Sequence, residues 1–205
     1  KLVGSGIEGV VGGATDFEGN TYEKYKGGWF RSGGTDREKL DEPTRAAFAK
    51  TYSTLRDGVE GLASTLGFGE DALKDFTTTF KVELKGLSEE DAAKAIEAEF
   101  ARIAEVMADT VLGTKEYTKE GETQLEALTR LSVSLVTVNS SLETLGLKMF
   151  DTSLAGADMA SALVDAFGSI ENLKNATAAY YENYYSAEEK RATLTSQLTK
   201  QFEAM

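Results

Sequence analysis

The 205-residue sequence contains no cysteine and no histidine. Without cysteine there are no disulfides, no thiolate metal sites and no thiol nucleophile. Without histidine there is no imidazole acid or base, no Ser-His-Asp triad and no histidine-ligated metal. Proline occurs once, at Pro43, and tryptophan once, at Trp29. Long apolar runs are missing too. Ser, Thr or Gly interrupts every hydrophobic stretch well short of the roughly 20 residues of a membrane-spanning helix. The N-terminus also lacks the basic-then-apolar layout of a secretion signal. The chain opens at Lys1, so it is expected to be a piece of a longer protein.

What is present is acidic. There are 34 Asp and Glu against 22 Lys and Arg, a net charge of -12. Such a chain repels phosphates unless its bases cluster, and here they are dispersed, so specific nucleic-acid binding is not expected. The composition is that of a globular protein, long enough for one sizeable core or two small ones.

The pattern along the chain reads as α+β, mainly helical. The first third is glycine-rich and β-prone. Ile7, Val10 and Val11 precede a turn-forming stretch, Asp16 to Asn20, and then Thr21 to Lys26 and Trp29-Phe30. This predicts an antiparallel hairpin over about 7–31, ended by Gly33-Gly34. Phe48, Tyr52, Leu55, Val59, Leu62 and Leu66 then recur at helical spacing, predicting a helix over about 43–66 with Pro43 in its first turn. From 76 to 85, Phe76, Thr78, Phe80, Val82 and Leu84 alternate with polar residues, the clearest strand in the sequence, expected to pair with the hairpin. Ser88-Glu89-Glu90-Asp91 has the form of a capping box and opens a helix over about 89–112. A further helix is expected over about 119–145, with a leucine seam from Leu128 to Leu145. These elements are expected to form a compact unit over 1–150: a small antiparallel sheet packed on helices. Residues 151–205 read as a helical extension, a helical hairpin or long C-terminal helix: a short helix from Ser153 to Phe167, then a stretch from Ser169 to Met205 with no internal breaker.

Few motifs carry chemistry. Gly4-Ser5-Gly6-Ile7-Glu8-Gly9 matches the dinucleotide pattern G-x-G-x-x-G, but that site needs a strand before it and a helix after it. With three residues before and Val10-Val11-Gly12-Gly13 after, it reads as a glycine-rich strand. Acids abound, so a carboxylate pair for glycoside hydrolysis is one reading. The bland reading is a solvated surface, since most acids lie beside Lys or Arg, as in Glu188-Glu189-Lys190-Arg191. The most unusual feature is Tyr180-Tyr181-Glu182-Asn183-Tyr184-Tyr185. Its i, i+4 pairs, Tyr180/Tyr184 and Tyr181/Tyr185, share helix faces and suit helix packing or a protein interface better than base or sugar stacking in so acidic a chain. No catalytic residue, cofactor or metal ligand is assigned.

The run from Phe167 to Leu173, the stretch Ala176 to Ser186 around the tyrosines, and Glu188 to Leu198 resemble a segment of tail tape measure proteins of long-tailed phages and prophages. The earlier layout is similar: a Gly-rich β-prone stretch, a Gly-Gly-Trp-Phe strand end, a helix, an alternating strand, then Gly86-Leu87-Ser88 opening a helix. The resemblance implies a structural protein that occupies the tail tube and sets its length. It also implies partners: self-association, tube subunits, the tail tip or baseplate, and tail chaperones. The implied location is the virion tail, and the host cytoplasm during assembly. The peptidase modules that some members embed require zinc ligands this stretch lacks. Two other readings stand beside it, a peptidoglycan or glycan hydrolase module using paired carboxylates and a bacterial helical adaptor.

Overall fold

Glycine-spaced strands in the first third and one alternating strand further on assemble into a four-stranded antiparallel sheet. The structure, a computed structural model, describes residues 1–29, 32–69 and 71–203. β1 (Leu2–Gly12) lies between β2 (Phe17–Tyr25) and β4 (Thr77–Glu83). β3 (Gly34–Lys39) adds beyond β2, giving the order β3-β2-β1-β4. The alternating strand does pair with the hairpin: Ile7 stands opposite Thr21 on one side and Val82 on the other. Ile7, Val11, Phe17, Phe80 and Val82 line one face of the sheet, and all are buried.

The hairpin turn is not at Asp16 to Asn20. It is a 3-10 turn over Gly13–Thr15, closed by the Gly12 N–H donating to the Asp16 carbonyl at 2.8 Å. Gly12 has φ +94° and ψ -178°, a region essentially reserved for glycine, and a Cβ there would lie 2.0 Å from the Phe76 carbonyl oxygen. Burial sets the register. Phe17 is 1% exposed and packs edge-on against Phe48 and Phe80, with ring centroids 5.1 and 5.4 Å away. That contact draws a good turn sequence into β2. Nor do Gly33-Gly34 end the strands, because Gly34 opens β3. Its Asp36, Arg37, Glu38 and Lys39 are all exposed, so it has no apolar alternation to read. The expected hairpin end at Phe30 and Arg31 lies outside the described residues, while Trp29 beside it is 95% exposed.

Among the described residues there are six α-helices. α1 spans Glu42–Thr65 and α2 spans Glu89–Leu112. Ser88 caps α2 by accepting from the Asp91 N–H, and Gly113 ends it in the left-handed conformation, as the sequence implies. α3 covers Gln124–Thr144, five residues later than the expected start at 119. Gly121 at φ +79° interrupts the backbone, and Thr123 and Glu126 then exchange backbone N–H to side-chain bonds of 2.9 and 3.2 Å. This is a reciprocal capping box. α4 (Leu154–Phe167) starts at Ser153 and stops at Gly168. The C-terminal stretch with no expected breaker is two helices: α5 (Ile170–Tyr184) and α6 (Ala187–Glu203), parted at Tyr185-Ser186. The last expected residue, Met205, lies outside the described residues.

The chain forms two compact units, residues 1–64 with 69–126, and 65–68 with 127–205. The boundary falls inside α3. In the first unit Phe17, Phe48, Phe80 and Phe100 form a cluster of aromatic contacts with centroids 5.1 to 5.6 Å apart. The Glu105 carboxylate of α2 accepts from the Gln124 and Leu125 N–H groups at 2.6 and 2.9 Å, placing negative charge at the start of α3. In the second unit Leu128, Leu131, Leu135 and Val138 of the seam are buried, together with Ala157, Ala160 and Leu173. Arg130 donates to the Ser161 hydroxyl at 2.8 Å.

Candidate protein-interface site

The four tyrosines sit on the last turn of α5 and on the residue that ends it. Ser169 starts this helix by accepting from the Asn172 N–H at 3.1 Å. Ser186 and Glu189 stop its continuation. The Ser186 N–H donates to the Glu189 carboxylate at 2.8 Å, and the Glu189 N–H donates back to the Ser186 hydroxyl at 3.2 Å. The signature Ser186-Ala187-Glu188-Glu189 was legible as a capping box, and it is what splits the helix. The Ser186 N–H, followed by its hydroxyl, holds the Glu189 carboxyl below its ordinary range.

The pairs form as the spacing predicts, but they do different things. Tyr180 and Tyr184 stack at 4.9 Å with an interplanar angle of 25°, and both are exposed, Tyr184 to 74%. Tyr181 and Tyr185, tilted at 4.9 Å, are half-buried. Their hydroxyls donate to backbone carbonyls, Tyr181 to Lys190 at 3.3 Å and Tyr185 to Leu145 at the end of α3. Lys190 sits 5.7 Å from the Tyr181 ring centroid and also donates to the Glu182 carboxylate at 2.8 Å. The inner pair therefore ties the α5–α6 elbow to α3, and the outer pair is presented to solvent. Lys190 and Leu145 are partners that sequence reading did not name. No local pattern links residue 145 to residue 185.

No family model, curated protein or solved structure matches the chain. The glycine motif at Gly4 to Gly9 is strand throughout, and the strand runs on to Gly12 where that site would need a helix to begin. Its second glycine instead permits close approach on the sheet's outer face: a Cβ at Gly6 would lie 1.9 Å from the Val82 carbonyl oxygen and 3.0 Å from Tyr22 Cε1. Tyr22 is buried there, Lys81 lies 5.4 Å from its ring centroid, and its hydroxyl has no hydrogen-bond partner among the described residues. Burial, then Glu83 and Glu8, push that phenol above its ordinary range.

The half-buried acids Glu99 and Glu105 direct their oxygens at neighbouring backbone and Arg102. Among the described residues no group of three or more Asp or Glu could hold a metal ion. No helix among them is long and apolar enough to cross a membrane.

Proposed function

We propose that this chain is a structural segment of a long-tailed phage or prophage tail tape measure protein, acting through protein contacts and not through catalysis. The observation that carries this reading is the stacked, exposed Tyr180–Tyr184 pair, held outward by an inner pair anchored to backbone. Aromatic side chains presented rigidly to solvent are characteristic anchors of protein interfaces, because they bury much area at little entropic cost. The second unit also carries the greater part of the exposed large apolar side chains among the described residues, although it is the shorter unit. Its partners would be further copies of itself, tube subunits, the tail tip or baseplate, and tail chaperones. Its place would be the virion tail, reached from the host cytoplasm during assembly.

The test is genetic and visual. In a phage or prophage encoding this sequence, in-frame shortening or lengthening of the gene outside this segment shifts tail length in electron micrographs in proportion. Tails of unchanged length would rule the reading out. An adaptor unrelated to phage would use the same tyrosine surface and leave tails unaffected, so the same micrographs separate the two.

A further inference from the structure

Helix α6 has an unusual balance of features. It runs for 17 residues, yet no residue with a described side chain in it is buried; only Lys190, Thr193 and Gln197 are even half-buried. An isolated helix of this length is marginal in water, since most helical stability in proteins comes from packing one face. The face available for that packing is Leu194, Leu198 and Phe202, spaced at i, i+4, i+8 and exposed to 57%, 45% and 75%.

Charge says what can cover it. The chain as a whole carries -12, but α6 carries three acids and three bases. Two copies of so acidic a chain repel each other on approach, and α6, whose charges balance, adds nothing to that repulsion. Arg191 lies on the same stripe as the two leucines, an odd place for a cation unless something receives it. In an antiparallel pair centred between Leu194 and Leu198, Arg191 lies about 7.5 Å from the centre and Phe202 about 9 Å on the other side. Each Arg191 then meets the Phe202 ring of the other copy, a favourable cation–π arrangement. Leu194 meets Leu198 in both directions.

We propose that α6 is a self-association helix, pairing antiparallel with α6 of a second copy through Leu194, Leu198 and Phe202, with Arg191 seated on the partner's Phe202. The pairing is isologous and closes as a dimer. One stripe of three side chains is smaller than a standard stable interface of about 800 Å² per partner, so the dimer is reversible and concentration-dependent. The inference holds whether or not the chain belongs to a phage tail.

Sedimentation equilibrium of the whole chain over a hundredfold concentration range tests it. The expected result is a rise from monomer toward twice the monomer mass. Leu198→Glu should weaken association at least tenfold, with far-ultraviolet circular dichroism of the sheet-containing unit retained. Adding Leu194→Lys to Leu198→Glu should restore a dimer that salt weakens, because antiparallel pairing sets each Lys against the other copy's Glu. Parallel pairing would set like against like. A chain that stays monomeric throughout, or a dimer indifferent to Leu198→Glu, overturns the proposal. A double variant that fails to recover overturns the antiparallel register.

Discussion

Arg102 donates to both carboxylate oxygens of Glu99, each at 2.9 Å, and together the two side chains occupy the outer edge of β4. Glu99 accepts from the Lys81 N–H at 3.0 Å, and Arg102 donates to the Thr79 carbonyl at 2.6 Å. An edge strand offers unpaired backbone groups to any passing strand. Here one turn of α2 satisfies one such donor and one such acceptor. The opposite edge, β3, is guarded differently, by four charged residues in a row.

This arrangement predicts an acid-sensitive edge. Burial pushes the Glu99 carboxyl up, but the Arg102 hydrogen bond, the Lys81 N–H and the Arg102 charge outweigh it and hold the group below its ordinary value of 4.5. A carboxyl depressed in the folded state contributes stability that is complete above about pH 4.5 and fades as pH falls through the lower folded value. Urea midpoints measured from pH 7 to pH 3 should therefore fall more steeply for the parent chain than for Glu99→Gln. Parallel curves would show that the pair contributes nothing. At neutral pH, Arg102→Ala should cost about 1 kcal/mol, less than a buried charged hydrogen bond because Arg102 is partly exposed.

Gly12 should be intolerant of any side chain. Gly12→Ala imposes a backbone conformation closed to alanine and drives a methyl into the Phe76 carbonyl. The expected loss is roughly 3 kcal/mol or more. Gly13→Ala next door, at φ +72° but with its nearest atom 3.8 Å away, should lose only about 1 kcal/mol. Chemical denaturation of the two variants side by side checks the contrast, and equal losses would refute it.

The aromatic cluster should dominate the stability of the first unit. Phe80 is 1% exposed and touches the rings of Phe17, Phe48 and Phe100. Phe80→Ala should cost about 3 to 5 kcal/mol, and Phe80→Leu clearly less. Thermal unfolding followed by near-ultraviolet circular dichroism reads both.

The tyrosine pairs should separate by assay. Tyr185→Phe deletes the bond to the Leu145 carbonyl and should destabilise the second unit by about 1 kcal/mol, seen as faster amide exchange in the last turn of α5. Tyr184→Ala, on the exposed side, should change stability by no more than about 0.5 kcal/mol. If Tyr184→Ala loosens α5 as much as Tyr185→Phe does, the division into anchoring and presenting pairs is wrong.

Local chemistry in the sequence determined most helix ends and the one clean strand. Ser88 with Asp91, Gly113, Ser153, Gly168 and the alternation around Phe80 each act within a few residues, so a reader of the chain can find them. Two further capping boxes, Thr123 with Glu126 and Ser186 with Glu189, were equally local, and continuous apolar periodicity hid them. The i, i+4 stacking of the tyrosines was legible for the same reason.

Tertiary structure decided what depended on partners far along the chain. It moved the hairpin turn to Gly13–Thr15 because Phe17 is worth more buried among Phe48 and Phe80 than left in a turn. It made a strand of Gly34–Lys39, where no side chain signals burial and β2 supplies the backbone partner. It also divided four similar tyrosines into two that anchor and two that project. Leu145 stands forty residues from Tyr185, and nothing in either neighbourhood announces the other. Short-range hydrogen bonding and periodicity are written in the sequence; which buried contact or distant carbonyl wins is settled only when the chain closes on itself.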